Sequence, residues 1–308
     1  MKNILNLDLI NLMYVVLENL IKKAIILAGG TGSRLSPITI PISKQLLPLY
    51  DKPMIYYPLS LLMNIDVREF LIITTPQDRI LFERLLKDGS DWGISINYSE
   101  QNKPEGIAQA LIIGSDFIDK SPFILALGDN FFHGNSFIEA FRKASILNSG
   151  ATIFAYPVND PQRYGVVEFD GNGNAINIEE KPKNPKTNFA VTGIYFYDAT
   201  AVDKALTLKP SSRGELEISS LNNIYMSERK LKVEVVSKGS AWLDTGTTDS
   251  LLEASSYIKT LEKRQGLKIG CPEEVAWEKG WINNSQLRSL AKVLANSGYG
   301  DYLSKLIC

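Results

Sequence analysis

Among 308 residues the chain has one histidine, His133, and two cysteines, Cys271 and Cys308. A single imidazole excludes a histidine-rich zinc centre, and any Ser-His-Asp relay would have to use that one residue, so His133 reads as a structural or surface residue. The cysteines make no C-x-x-C pair, which suits free thiols in a reducing cytoplasm. No run of 18 or more apolar residues is present, so no transmembrane helix is expected. With a formal net charge of -1 there is no basic excess to hold a nucleic acid backbone and no polybasic membrane patch. An anionic ligand must therefore be held by a local pocket. A Walker A loop is also missing, and so is a dinucleotide fingerprint, because after Gly30 and Gly32 the third glycine position holds Leu35.

What remains is an ordinary globular composition, 44% hydrophobic and 22% charged, sufficient for one large core. Its most informative stretch follows the apolar run Ala24 to Leu27, which reads as a buried strand. There Gly29, Gly30, Thr31, Gly32, Ser33 and Arg34 form a turn whose bare backbone can bring N–H groups close to an anion. Arg34 and Lys44 add two fixed positive charges within that loop, so the segment reads as a polyphosphate cradle. The plainer alternative is a glycine turn with a surface arginine. Its position at the end of the first strand of an α/β pattern, where such folds bind ligands, weighs against that alternative.

Apolar runs at Phe70 to Thr75, Ile94 to Tyr98 and Phe123 to Leu127 alternate with helical spacing over 77–87 and 106–117. A further helix is expected over Lys52 to Met63. Strands alternating with helices predict a Rossmann-like, mostly parallel sheet flanked by helices. From Ala151 the spacing shortens, with strands at 151–157, 164–169, 175–178 and 189–197, and Asp170-Gly171-Asn172-Gly173 is a hairpin signal. Beyond it come a helix over 214–228, a strand over 231–236, a long helix over 248–265 and further helices. The expected organisation is an N-terminal extension at 1–21 of no assigned role, an α/β core at 22–246 carrying a smaller sheet lobe at about 151–236, and a helical C-terminal appendage at 247–308.

Candidate chemistry lies at the strand ends. Asp129, in Leu127-Gly128-Asp129-Asn130, falls on the ligand-binding rim of a parallel sheet, where a carboxylate can hold Mg²⁺. Asp244, in Trp242-Leu243-Asp244-Thr245-Gly246-Thr247, stands at a second strand-to-helix junction, and capping by Thr247 or Thr248 would leave it free. For both aspartates the alternative is a turn or a helix cap. Lys181, between Glu180 and Pro182, can hold a phosphate as a point charge, or it is a solvated turn residue. Arg213 is placed at a helix start, where a cation is disfavoured unless an anion accompanies it. Gln45 and Gln101 can read the imide edge of a pyrimidine if the fold brings their loops over one base.

Taken together, these strings resemble the glucose-1-phosphate thymidylyltransferases, a branch of the sugar nucleotidyltransferases. The carrying residues are LAGGTGSRLSPIT from Leu27, SKQLLPLYDKPMIYYPLS from Ser43, PEGIAQA from Pro104 and LGDN from Leu127. RYGVVEFD from Arg163, EEKP from Glu179, SSRGELEI from Ser211 and WLDTGT from Trp242 complete the set. The resemblance runs from about Lys22 to the C-terminus, and KQLLP with PEGIAQA is similar to the thymidylyl branch more than to the uridylyl branch. It implies a cytoplasmic, Mg²⁺-dependent enzyme converting dTTP and glucose 1-phosphate to dTDP-glucose and pyrophosphate. Gly29 to Arg34 would wrap the triphosphate, with Arg34 and Lys44 neutralising the leaving group, and Gln45, Gln101 and Gly106 reading thymine. Asp129 and Asp244 would hold the metal, Lys181 and Arg213 the sugar phosphate, and Tyr164, Gly165, Glu180 and Val191 would line the glucose pocket. The resemblance further implies a homotetramer inhibited by dTDP-rhamnose at a separate interface site, placed partly in the helical region after Gly246. Two alternatives stay open: a UTP-using uridylyltransferase, and a non-catalytic nucleotide-sugar sensor.

Overall fold

In a computed structural model, residues 20–30, 32–146, 149–236 and 239–307 are described. Thr31, and residues 1–19 of the extension, lie outside them. Strand β1 (Lys23–Ala28) opens the core, and a two-residue ribbon follows, β2 (Pro48–Leu49) with β3 (Lys52–Pro53). Helix α1 (Tyr56–Asn64), β4 (Glu69–Thr74), α2 (Arg79–Leu86) and β5 (Ser95–Glu100) continue the alternation. The helix expected from Lys52 starts four residues later, because Lys52 and Pro53 are held in the ribbon. Next come two short helices, α3 (Gln109–Ile113) and α4 (Ser115–Ile118), where one was expected. They part at Gly114, where any side chain would press on Ile25 of β1.

Strand β6 (Phe123–Leu127) leads into β7 (Asn130–His133) and α5 (Asn135–Ala144). Strands β8 (Ala151–Pro157), β9 (Gly165–Phe169), β10 (Ala175–Glu180) and β11 (Phe189–Tyr197) follow, with the expected hairpin between β9 and β10. Asp170 builds that turn by accepting backbone hydrogen bonds from Asn172 and Asn174. After α6 (Ala201–Leu206), α7 (Ile218–Ser227), β12 (Leu231–Val235) and β13 (Ala241–Asp244), the chain ends in α8 (Thr248–Gln265), α9 (Pro272–Glu278), α10 (Asn284–Val293) and α11 (Gly298–Lys305).

The main sheet runs β10-β9-β11-β6-β1-β4-β5, with β8 beside β11 and β12 beside β8. β1, β4, β5 and β6 are mutually parallel, while β11 is antiparallel to β6. The strands expected as a lobe are therefore continuous with the parallel half through β11. Alternate residues of the central strands feed two apolar clusters, Ile26, Ile72 and Ile124 on one face, Ile25, Leu71 and Leu125 on the other. Burial on both faces is why these strands read as unbroken apolar runs. The path leaves β1 toward β4 and β5, then returns to β6 on β1's other flank. That reversal opens a crevice beyond the carboxyl ends of β1 and β6, where ligands bind in such sheets.

Candidate active site

The loop after β1 enters this crevice. Gly30 and Gly32 have φ of 132° and 57°, conformations that disfavour a side chain. A Cβ on Gly29 would stand 2.6 Å from the Gln101 amide oxygen, so a side chain there would push Gln101 out of place. Gly29, Gly30, Gly32, Ser33, Arg34, Lys44 and Gln45 line one cavity of about 200 Å³. Gln45 and Gln101 are both buried against this loop region, Gln45 accepting from the Ser43 hydroxyl at 2.7 Å and Gln101 donating to Gln109 at 2.7 Å. Gly106, with φ of 108°, lies directly against the backbone of Leu216, and Leu216 donates to the Glu105 carbonyl at 2.7 Å. That crossing ties the Gly106 loop to the segment carrying Arg213.

Asp129 and Asp244 are brought together by a ribbon that no sequence signal announced. β13 pairs antiparallel with β7, placing Asp244 opposite Asn130, the neighbour of Asp129. Thr247 caps α8 in a capping box with Ser250, so Asp244 is free of that task, as expected. Lys44 Nζ lies 2.6 Å from Asp129 Oδ2, with its side chain 8% exposed. Asn130 donates to Asp129 Oδ1 at 2.9 Å while its own oxygen accepts from Gly193 N at 3.2 Å and Trp242 Nε1 at 2.6 Å. Burial alone would raise the Asp129 carboxyl, but Lys44 and Asn130 bring it below its usual value. Burial, reinforced by the charge of Asp129, instead raises the Asp244 carboxyl against Lys44, Arg34 and Arg163. Gly246 packs so close to Asp244 and Arg34 that a methyl there would meet both.

A second cavity, of about 160 Å³, is lined by both Asp129 and Asp244. The structure brings Tyr164, Gly165, Glu180, Lys181 and Val191 together around it. Ser219 of α7 hydrogen-bonds Glu180 and fixes its carboxylate. Lys181 has φ of 44° and donates its backbone N–H to the Tyr164 carbonyl at 2.9 Å, which turns the chain sharply after β10. Arg213 does not line this cavity. It also starts no helix: α7 begins at Ile218, after a turn closed by Gly214 at φ of 77°. Its guanidinium is neutralised by Glu215 at 2.5 Å and Glu217 at 3.1 Å. The anion expected beside this arginine is supplied by the protein.

Two further residues belong to the site although nothing in the sequence singled them out. Arg163 bonds Asp244 at 3.1 Å and Asp160 at 2.7 Å and lines the second cavity. Asn130 holds Asp129 as described. Both stand beside recognised residues, in RYGVVEFD and LGDN, yet neither carries a type or spacing that marks it alone. His133, half-buried, stacks on Phe131 at 6.3 Å between ring centroids and meets Tyr257 edge-on, in keeping with a structural role. It borders a third cavity, of about 530 Å³, between Tyr57, Phe131 and the 265–270 segment.

The donor set at the junction suits Mg²⁺. Two carboxylates offer only hard oxygen ligands, and this ion completes its shell with phosphate oxygens and water. Among the described residues no group of three or more His, Cys, Asp or Glu is placed to hold a metal ion.

A cationic glycine loop at the switch point of the sheet thus faces two carboxylates and a second cavity. The nucleotidyl transferase family model matches residues 23–260. Glucose-1-phosphate thymidylyltransferase of Neisseria meningitidis (serogroup A, serotype 4A) is 54% identical over 285 residues, covering 92% of this chain and 99% of the relative. The Mycolicibacterium smegmatis enzyme of that name is 55% identical, covering 92% and 99%. A crystal structure of a Bacillus anthracis protein described by the same activity, in complex with sucrose, is 41% identical with a TM-score of 0.70, covering 76% of this chain and 94% of that one. UDP-glucose pyrophosphorylase complexed with UDP-glucose shares the fold, with a TM-score of 0.66 at 23% identity over 78% of this chain and 99% of that one. The chain belongs to the nucleotidyl transferase family, in its glucose-1-phosphate thymidylyltransferase branch.

Proposed function

We propose that this protein transfers the thymidylyl group of dTTP to glucose 1-phosphate, giving dTDP-glucose and pyrophosphate. The observation that carries the reading is that Arg34 and Asp129 line both the glycine-loop cavity and the second cavity. A triphosphate in the first and a sugar phosphate in the second would meet beside these two residues and Asp244. One oxygen of the sugar phosphate then attacks the α-phosphorus of dTTP, forming a P–O bond. The P–O bond to the β-phosphate breaks and pyrophosphate leaves with the electron pair. The attacking phosphate is already ionised, so no protein base has to remove a proton.

The chain's contribution is positioning and charge. Backbone N–H groups of Gly29, Gly30 and Gly32 would hold the triphosphate, and Arg34 with Lys44 would take up charge developing on the leaving pyrophosphate. Lys181 would anchor the sugar phosphate, with Arg213 joining once it leaves Glu215 and Glu217. Tyr164, Gly165, Glu180 and Val191 would enclose the glucose, and Gln45, Gln101 and Gly106 would read thymine. Mg²⁺ bound by Asp129 and Asp244 would supply further positive charge to the phosphates. The presence of each of these groups favours an enzyme over a sugar-nucleotide sensor. One methyl distinguishes the thymine and uracil rings and is worth about 1–3 kcal/mol, so measurable UTP use is expected.

We further infer a cytoplasmic homotetramer and feedback by dTDP-rhamnose, and the cavity beside His133 and the 265–270 segment is where such an inhibitor could be received. Pyrophosphate release with dTTP, glucose 1-phosphate and Mg²⁺, compared with UTP, tests the central reading. No release with any nucleotide and sugar phosphate overturns the activity, and a clear preference for UTP overturns the thymidylyl assignment.

A further inference from the structure

We propose that Lys44 and Arg163 are internal counter-cations of the free site, so that a divalent ion binds weakly until a triphosphate offers Lys44 another partner. The inference rests on the activity proposed above. Lys44 Nζ contacts Asp129 Oδ2 at 2.6 Å, and Arg163 contacts Asp244 Oδ2 at 3.1 Å. The remaining oxygen of Asp129 accepts from Asn130 at 2.9 Å. Both oxygens of Asp129 and one oxygen of Asp244 thus already face protein donors, and a metal bridging the two carboxylates must compete with them.

Charge balance governs metal entry. Asp129, Asp244 and Asp160 face Lys44, Arg163 and Arg34, a locally neutral set, so a divalent ion alone would leave two excess positive charges in a largely buried site. Such uncompensated charge is strongly disfavoured. Lys44 cannot escape to solvent, since its side chain is only 8% exposed. It does line the glycine-loop cavity, so a triphosphate there is the anion within its reach. Arg163 keeps Asp160 at 2.7 Å as a second partner, which tethers it when it leaves Asp244. Metal and nucleotide therefore enter with positive coupling, and each strengthens the other by the same factor.

The test is Mn²⁺ binding to the substrate-free protein, followed by the electron paramagnetic resonance of free Mn²⁺. Arg163→Gln is expected to bind Mn²⁺ more tightly than wild type, by about 5- to 150-fold, the usual range of coupling between sites. Arg163→Lys, which restores a cation, is expected to return to weak binding. Lys44→Gln gives a second, independent variant with the same expected direction. Circular dichroism identifies the folded variants. Folded Arg163→Gln protein that binds Mn²⁺ no better than wild type overturns the proposal. Pyrophosphate release by wild type is measured separately, so a working enzyme whose Mn²⁺ affinity is indifferent to residue 163 refutes the counter-cation role alone.

Discussion

Asp129 and Asp244 share one rim and one chemical type, yet their surroundings move them in opposite directions. The folded-state value of Asp129 lies below the usual 3.8, so its stabilising contribution is complete above that pH and is lost as pH falls through the depressed value. The folded-state value of Asp244 is raised, so its contribution is complete below 3.8 and is lost as pH rises through the raised value. Asp129→Asn should therefore abolish turnover and also cost about 1–3 kcal/mol near neutral pH, because Lys44 loses its buried partner. Asp244→Asn should abolish turnover with no such loss. Denaturant midpoints at pH 7 in metal-free buffer distinguish the two; equal destabilisation would contradict the assignment. Gly106→Ala combines a left-handed φ with a clash against the Leu216 backbone. It is expected to raise the KM for dTTP, since the loop carrying Gln101 and Gly106 must shift, and an unchanged KM would count against a nucleotide-binding role for Gly106.

At the scale of elements, legibility tracked burial pattern. β1, β4 and β6 are apolar on both faces, and the ends of β1 and β6 carry Gly29 and Asp129, so strand and rim residue could be read together. The β7–β13 ribbon could not. Each of its strands has four residues, and pairing across such a sequence separation leaves no local period. Asp244 was found by its motif, whereas its register opposite Asn130 is a tertiary fact. Arg213 shows the converse error: the helical spacing was real but began at Ile218, and the charges of Glu215 and Glu217 answered the arginine locally. The C-terminal helices carry a further test. Glu273, in the first turn of α9, is fully buried, accepts from the Tyr299 hydroxyl of α11 at 2.6 Å, and is raised above its usual 4.5 by burial. Its contribution to stability is complete below 4.5 and lost as pH rises through the raised value. Glu273→Gln should flatten the fall in unfolding midpoint between mildly acidic and neutral pH, and an unaltered slope would exclude it as the source.

For the whole molecule, the attachment of the C-terminal region depends on charge as well as apolar packing. Lys52 of β3 and Glu262 of α8 form a pair at 3.0 Å with side chains 2% and 4% exposed, flanked by Asp51 and Lys268. Lys52→Met leaves two carboxylates facing one lysine, and such broken buried pairs cost about 3–5 kcal/mol. Thermal unfolding should show that loss; a variant as stable as wild type would mean the network is electrostatically neutral to the fold.

β11 has its own consequence for motion. This one strand pairs with β6 of the parallel half and with β8 and β9 of the antiparallel half, with Gly193 at its bulge held to Asn130. A sheet hydrogen-bonded through β11 joins the two halves directly and offers no linker about which they could swing. Substrate capture must then be left to loops, those after β1 and β5 and the turn before α7. Small-angle scattering profiles with and without both substrates should superimpose, and a contraction of the radius of gyration on binding would reveal a domain closure that this strand should forbid.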